Sequence, residues 1–254
     1  MTGDDHPLAR DLAAQAGQRL LGLRAQGGDQ DVLRKAGDRL SHDFLTAELA
    51  ARRPGDVVLS EEGADNPARL AARRVWIVDP LDGTREFGEP GRTDWAVHVA
   101  LWEDGDLTAG AVALPAQGTV LSTAEPPPPP RAGDGAPGQI RVVVSRSRPP
   151  RFVRNISGLI DAELVPLGSA GAKVAAVING EVDAYVHGGG FYEWDTAAPV
   201  AVARAAGLHA SRIDGSALAY NQADLLMPDI LVCRPAVAGT LLQAIREATN
   251  AAAS

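Results

Sequence analysis

Apolar residues recur along this chain in two rhythms, one helical and one extended. From Pro7 to Arg24, Leu8, Leu12, Ala16, Leu20 and Leu23 fall three and four residues apart, with Pro7 suited to a first turn and Gly27-Gly28 to a stop. Leu40, Phe44, Leu45 and Leu49 form a second stripe, with Asp38 placed to cap its helix and Pro54-Gly55 beyond it. Val57-Val58-Leu59 reads as a strand running into Ser60-Glu61-Glu62-Gly63, and residues 64–72 as a polar stretch, mobile or loosely helical. Val75, Trp76, Ile77 and Val78 fill a buried strand that stops on Asp79, because Pro80 has no N–H for a ladder. Residues 94–102, 107–114 and Val120-Leu121 read as an antiparallel meander whose first turn is Asp104-Gly105.

Residues 126–138 break both rhythms. Pro126 to Pro130 favour an extended, unpacked solvent loop between lobes. Beyond it, strand patterns at 140–144, 164–165, 182–187 and 230–233 alternate with helical ones at 150–160, at 168–178, from Thr196 to Ala206, and at 237–249. The reading is an α/β chain in layers. An N-terminal lobe, 1–138, holds a helix pair and an antiparallel sheet. A C-terminal lobe, 139–254, holds a mixed sheet and its helices.

Composition narrows the function. The 254 residues are 45% hydrophobic, ample for a core and unlike a disordered chain. A net charge of −8 offers no field for DNA or RNA, whereas a small anionic substrate is compatible if bound cations supply positive charge. The single cysteine, Cys233, lies in an apolar strand and reads as a core residue, which points to a reducing cytoplasm. No stretch reaches the ~20 apolar residues of a membrane span. Met1 to Pro7 is acidic and polar, without a signal-peptide pattern.

The chemistry gathers at the ends of elements. Asp79-Pro80-Leu81-Asp82-Gly83-Thr84 places two carboxylates and a hydroxyl at a strand end, and Glu61 and Asp195 end or begin other elements. Each has a plainer reading: Asp-Pro and Asp-Gly are turn formers, Glu61-Glu62 a solvated turn, Asp195 an N-cap and Lys173 an exposed lysine. Taken together, four carboxylates repel unless cations bridge them, and oxygen donors suit magnesium. Two such ions serve in-line displacement at phosphorus, with Thr84 holding the attacking water and Glu61 taking its proton. Gly83 permits close approach of a ligand to the backbone. The helix opening at Gly168-Ser169 offers N–H groups to an anion or sugar hydroxyl, with Lys173 adding charge. His98 shares a strand face with Ala96 and Ala100 and reads as a structural histidine.

Three segments, Glu61-Glu62, Asp79 to Thr84, and Trp194-Asp195-Thr196-Ala197-Ala198, resemble the signatures of the lithium-sensitive, magnesium-dependent phosphatases. That superfamily includes inositol monophosphatases, fructose-1,6-bisphosphatases and the phosphatases of 3'-phosphoadenosine 5'-phosphate (PAP). The resemblance implies an αβαβα sandwich, two or three Mg2+ per site, and a homodimer. It implies one metal on Glu61, Asp79 and the Leu81 carbonyl, and a second on Asp79, Asp82 and Asp195. Asp38 would orient water or a third metal, and Gly83 and Thr84 would cradle phosphate. Ser169 and Lys173, with Gly168, match substrate-side positions. Arg85-Glu86-Phe87 is similar to the Lys-Glu-Phe of the PAP-phosphatase branch, which implies removal of the 3'-phosphate of PAP, or of PAPS, in sulfate assimilation. His187 stands where that branch tends to carry an arginine near the nucleotide, and Tyr220 and Asn221 match a late loop near the base. Gly188 occupies the position of a glutamate in inositol-specific members.

Other readings keep or drop this chemistry. Inositol phosphates or fructose 1,6-bisphosphate are alternative substrates at the same site. A haloacid-dehalogenase-type phosphatase uses Asp-x-Asp-Gly-Thr, but here two residues separate the aspartates. A metal- or nucleotide-binding module without turnover is the non-enzymatic reading.

Overall fold

The computed structural model describes residues 5–130, 139–147, 149 and 151–253. Residues 1–4 of the acidic start, residues 131–138 of the proline-rich segment, Arg148 and Pro150, the first residue of the helical pattern at 150–160, lie outside them. The elements run α1 (Asp5–Arg24), α2 (Gln30–Arg52), β1 (Val57–Ser60), β2 (Arg74–Asp82), α3 (Thr84–Gly88), β3 (Ala96–Glu103), β4 (Asp106–Leu114) and β5 (Thr119–Ser122). Then come β6 (Ile140–Ser145), α4 (Arg151–Leu159), β7 (Ala162–Leu167), α5 (Ala170–Ile178), β8 (Ala184–His187), β9 (Phe191–Tyr192), α6 (Glu193–Ala205), β10 (His209–Ser211), β11 (Leu226–Met227), β12 (Ile230–Cys233) and α7 (Pro235–Ala253).

Alternation along β2 explains the layers. Trp76 and Val78 pack with Leu12 and Leu20 of α1 and Leu45 and Leu49 of α2, while Val75 and Ile77 face Val174 of α5 and Val200 of α6. Across α5 and α6 lies the second sheet, whose Val143, Tyr185 and Val232 join the same middle core. Its outer face, with Val142, Val186, Leu231 and Cys233, is covered by α4 and α7. This is the αβαβα sandwich. Cys233 is buried as expected, and burial pushes its thiol up to about 12.

The first sheet has the order β1-β2-β3-β4-β5, but it is not purely antiparallel, because β1 and β2 pair in parallel. The second, β10-β12-β8-β6-β7, is mixed. Three local expectations also change. Asp38 caps nothing: α2 begins eight residues earlier than Asp38, at Gln30, and Asp29 is its N-cap, accepting from the N–H groups of Asp31 and Val32. Residues 64–72 are not loose. Pro67–Ala71 form a 3-10 turn, and Arg69, 1% exposed, ties it to Asp65, Asn221 and the Gln222 carbonyl. Finally, β2 does not stop at Pro80. It continues to Asp82 across a break in register.

That break positions the site. Asp79 pairs with His98 and Asp82 with Ala96, so Pro80 and Leu81 together oppose Val97 alone. In a regular strand, residues three apart point to opposite faces. One extra residue restores the phase and turns both aspartates to the same side, and a bulge is also where a strand tolerates proline.

Candidate active site

Asp79, Asp82 and Asp195 each offer a carboxylate oxygen within 4.8 Å of the others. Asp195 enters from the first turn of α6, where its Oδ2 accepts from the Tyr192 N–H at 2.6 Å. It thus closes its own helix end and faces the other two acids, so the capping and site readings both hold. Glu61, just past β1, lies against Asp79 within hydrogen-bonding range. The Leu81 side chain is buried, and its carbonyl accepts from the Thr84 hydroxyl at 3.0 Å. The same hydroxyl lies 3.1 Å from Asp38 Oδ1, which brings the middle of α2 to the site.

The acids differ in electrostatic environment. Burial, then Glu61, Asp82 and Asp195, push the Asp79 carboxyl well above the usual carboxylate range. Burial and Asp82 raise Asp195 to about 6, against the Tyr192 N–H. Glu61 is exposed as a residue, yet shielding of its carboxyl and the charge of Asp195 raise it to about 7. Asp38 rises to about 6, mainly by burial. Asp82 is the exception. Burial works against its charge, but the His98 ring, Lys173 and the Gly171 N–H hold it below the usual value.

Asp82 also corrects the expectation for the start of α5. The Ala170 and Gly171 N–H groups donate to it at 3.2 and 2.6 Å, and Ser169 Oγ takes the Ala172 N–H at 2.9 Å. The helix N-terminus is filled by the protein's own carboxylate rather than left for an external anion. Asp94 holds the preceding turn, its carboxylate accepting from Gly168 N and its carbonyl from Ser169 N.

Glu61, Asp82, Gly83, Thr84, Gly168, Ser169, Lys173, His187 and Asp195 line one cavity of about 800 Å³. Lys173 is no exposed lysine. It is 4% exposed, donates to the Gly168 carbonyl, and lies 5.3 Å from the Tyr185 ring centroid. Gly83 has φ +83°, and a Cβ there would come 2.9 Å from Ser169 Cβ, so the tight turn and the close approach of α5 both need glycine. Tyr220 and Asn221, in contrast, turn away from the cavity. Tyr220 is buried with its hydroxyl 3.2 Å from Thr196 Oγ1, and Asn221 is occupied by Glu193 and Arg69.

His98 is the residue that the sequence undervalues. It is fully buried in the core, as read, but Nε2 lies 3.2 Å from Asp82 Oδ2 and Nδ1 3.1 Å from the Trp194 carbonyl. It therefore ties β3 to the turn that carries Asp195. Arg85-Glu86-Phe87 has two uses. Glu86 lines the cavity while pairing with Arg146, just past β6, at 2.6 Å, whereas Phe87 is buried edge-on against Trp95.

A donor set made only of carboxylate and carbonyl oxygens, with mutually repelling acids, fits hard divalent cations. The sequence model of the inositol monophosphatase family matches residues 8–250. The chain belongs to that family. The 3'-phosphoadenosine 5'-phosphate phosphatase of Mycobacterium leprae is 51% identical over 254 residues, covering 96% of this chain and 94% of its own. The 3'(2'),5'-bisphosphate nucleotidase CysQ of Escherichia coli K12 is 32% identical, covering 83% and 91%. Among solved structures, CysQ from Bacteroides thetaiotaomicron superposes with a TM-score of 0.78 at 27% identity, covering 91% and 97%. The family is metal-dependent, which the acidic cluster suits. No helix among the described residues is long and apolar enough to cross a membrane.

Proposed function

We propose that this family member removes the 3'-phosphate of PAP, giving AMP and inorganic phosphate, with Mg2+ as its cation. The observation that carries the reading is the near-full-length similarity to the mycobacterial PAP phosphatase. The cavity supports it, since Glu61, Asp82 and Asp195 share its lining with Tyr185, Phe191, Tyr192 and Leu226, within the ~300–1,000 Å³ usual for small-molecule sites. Glycine at 188 leaves no carboxylate there for an inositol hydroxyl.

Glu61, Asp79 and the Leu81 carbonyl would hold one cation, and Asp79, Asp82 and Asp195 a second. Cations bound there would supply the positive charge that stabilises an in-line displacement at phosphorus. Thr84, braced by Asp38, orients the attacking water, and Glu61 accepts its proton. A water oxygen–phosphorus bond forms as the phosphorus–O3' bond breaks, and O3' takes up a proton from solvent to become the ribose hydroxyl. Ser169 and Lys173 border the reacting phosphate, with His98 behind Asp82 as a brace.

Chromatography of the PAP reaction tests the assignment. With Mg2+ the products are expected to be AMP and one equivalent of phosphate, and excess EDTA is expected to stop turnover until Mg2+ is restored. Adenosine 3'-phosphate as the product, or turnover unaffected by EDTA, would contradict it.

A further inference from the structure

Five large apolar side chains are exposed among the described residues, and two of them, Tyr192 and Leu226, stand directly opposite each other. They belong to the small antiparallel pair of β9 and β11, in which Tyr192 pairs with Leu226 and Phe191 with Met227. Successive strand residues alternate between faces. Phe191 and Met227, 8% and 4% exposed, accordingly turn into the core, and Tyr192 and Leu226, 45% and 48% exposed, form the other face. Both line the active-site cavity. An aromatic and an aliphatic side chain exposed together in the lining of this cavity offer an apolar surface in the same space as the acidic residues.

The geometry of the pair favours a flat partner. The Tyr192 ring stacks on Trp194 with centroids 4.8 Å apart and an interplanar angle of 17°. Trp194 in turn packs against the central core. One face of Tyr192 is thus used as a foundation, and the other remains available beside Leu226. The platform is also fixed relative to the reacting end, since the Tyr192 N–H donates to Asp195 Oδ2 at 2.6 Å. An aromatic face on rigid backing, in one cavity with a phosphate site, is what a nucleobase needs. Every base presents a π-face, and alanine substitution of such a stacking residue commonly weakens binding by roughly 5- to 150-fold.

We infer that Tyr192 and Leu226 form the base platform of this site, with the adenine ring stacked on the open face of Tyr192 and edged by Leu226. This rests on the proposed PAP phosphatase reading and adds to it the residues that separate nucleotides from other phosphomonoesters. It also replaces Tyr220 and Asn221, whose buried contacts exclude them from that role.

Kinetics on paired substrates test it, using Mg2+-loaded wild type, Tyr192→Ala, Tyr192→Phe and Leu226→Ala. The substrates are PAP and ribose 3,5-bisphosphate, which keeps both phosphates and has no base. For PAP, Tyr192→Ala is expected to raise KM by roughly tenfold or more with kcat within about threefold, Leu226→Ala to raise it less, and Tyr192→Phe to restore near-wild-type values. For the abasic substrate, the Tyr192→Ala and wild-type KM values are expected to agree within about twofold. Equal changes on both substrates, or no change on PAP, would overturn the platform. Should wild type fail to cleave PAP, the functional reading fails separately, and calorimetric binding of AMP then judges the platform. Weaker AMP binding by Tyr192→Ala supports it, and equal affinity refutes it.

Discussion

Asp79→Asn is expected to lower phosphatase turnover by on the order of 10³-fold while making the cation-free protein more stable. Asp79 is the carboxylate assigned to both cations, and removing even one oriented charge-stabilising group costs about 10²–10³ in rate. The stability effect has the opposite sign because the same carboxylate is buried among Glu61, Asp82 and Asp195. Its folded pKa lies above the ordinary 3.8, so in the cation-free chain its contribution to stability falls as pH rises above that value. Asn keeps the shape and can still accept the Leu81 N–H that now donates to Oδ1 at 3.0 Å. In EDTA at neutral pH the variant is expected to melt about 2–4 °C above wild type, the shift that ~1 kcal/mol makes in a chain of this size. Added Mg2+ should reverse the order, because a ligand that binds only the folded wild type raises its melting temperature alone. A variant that loses stability in EDTA, or that still gains it from Mg2+, would show that Asp79 is a structural acid.

Gly171→Ala is the second large effect, and helix propensity alone gets its sign wrong. Alanine is favoured over glycine by about 1 kcal/mol in a helix interior. Here a Cβ would lie 2.2 Å from His98 Nε2, 2.9 Å from Ala96 Cβ and 3.2 Å from Asp82 Oδ2. These atoms sit on β2 and β3 and cannot swing aside as the tip of a surface lysine would. Overpacking of this kind costs roughly 1–3 kcal/mol, and the helix must also retreat from the carboxylate that its Gly171 N–H binds at 2.6 Å. The expected result is a lower melting temperature and a weakened Mg2+ response. Gly22→Ala in α1 is the control, since nothing lies within 4 Å of a Cβ there, and it is expected to gain about 0.5–1 kcal/mol. Thermal melts of both variants with and without Mg2+ check the pair. An unchanged Gly171→Ala would mean that α5 can move without disturbing Asp82.

What the sequence revealed depended on whether an element carries its own signal. β12 matches the expected 230–233, because Ile-Leu-Val-Cys is apolar on both faces in a central strand. The first two turns of α2 carry a weak signal, because Val32 there is 67% exposed and the buried line Leu33, Gly37, Ser41, Leu45 and Leu49 has a small and a polar residue at its second and third places. Read every fourth residue, that line was available, with Asp29 as its start signal. The parallel pairing of β1 with β2 has no local mark, since residues 57–60 read alike in either direction.

The site divides in the same way. The acids stand in motifs, and the cavity gathers most of them as expected. The reason Asp79 and Asp82 share a side is the bulge at Pro80-Leu81, which exists only once β3 is paired. His98 alternates plainly with Ala96 and Ala100, but its approach to Asp82 and Trp194 depends on that bulge and on Gly171. The tie between Arg69 and Asn221 spans 152 residues, and for this reason the late loop gave no sequence sign of turning away from the cavity.

An oxygen-donor cation site and a cavity able to take a nucleobase together fit this chain to PAP hydrolysis. The most direct test of that substrate preference is kcat/KM for PAP, inositol 1-phosphate and fructose 1,6-bisphosphate, measured side by side on the purified full chain with saturating Mg2+. PAP is expected to give the highest value. PAP ranking last of the three would contradict it.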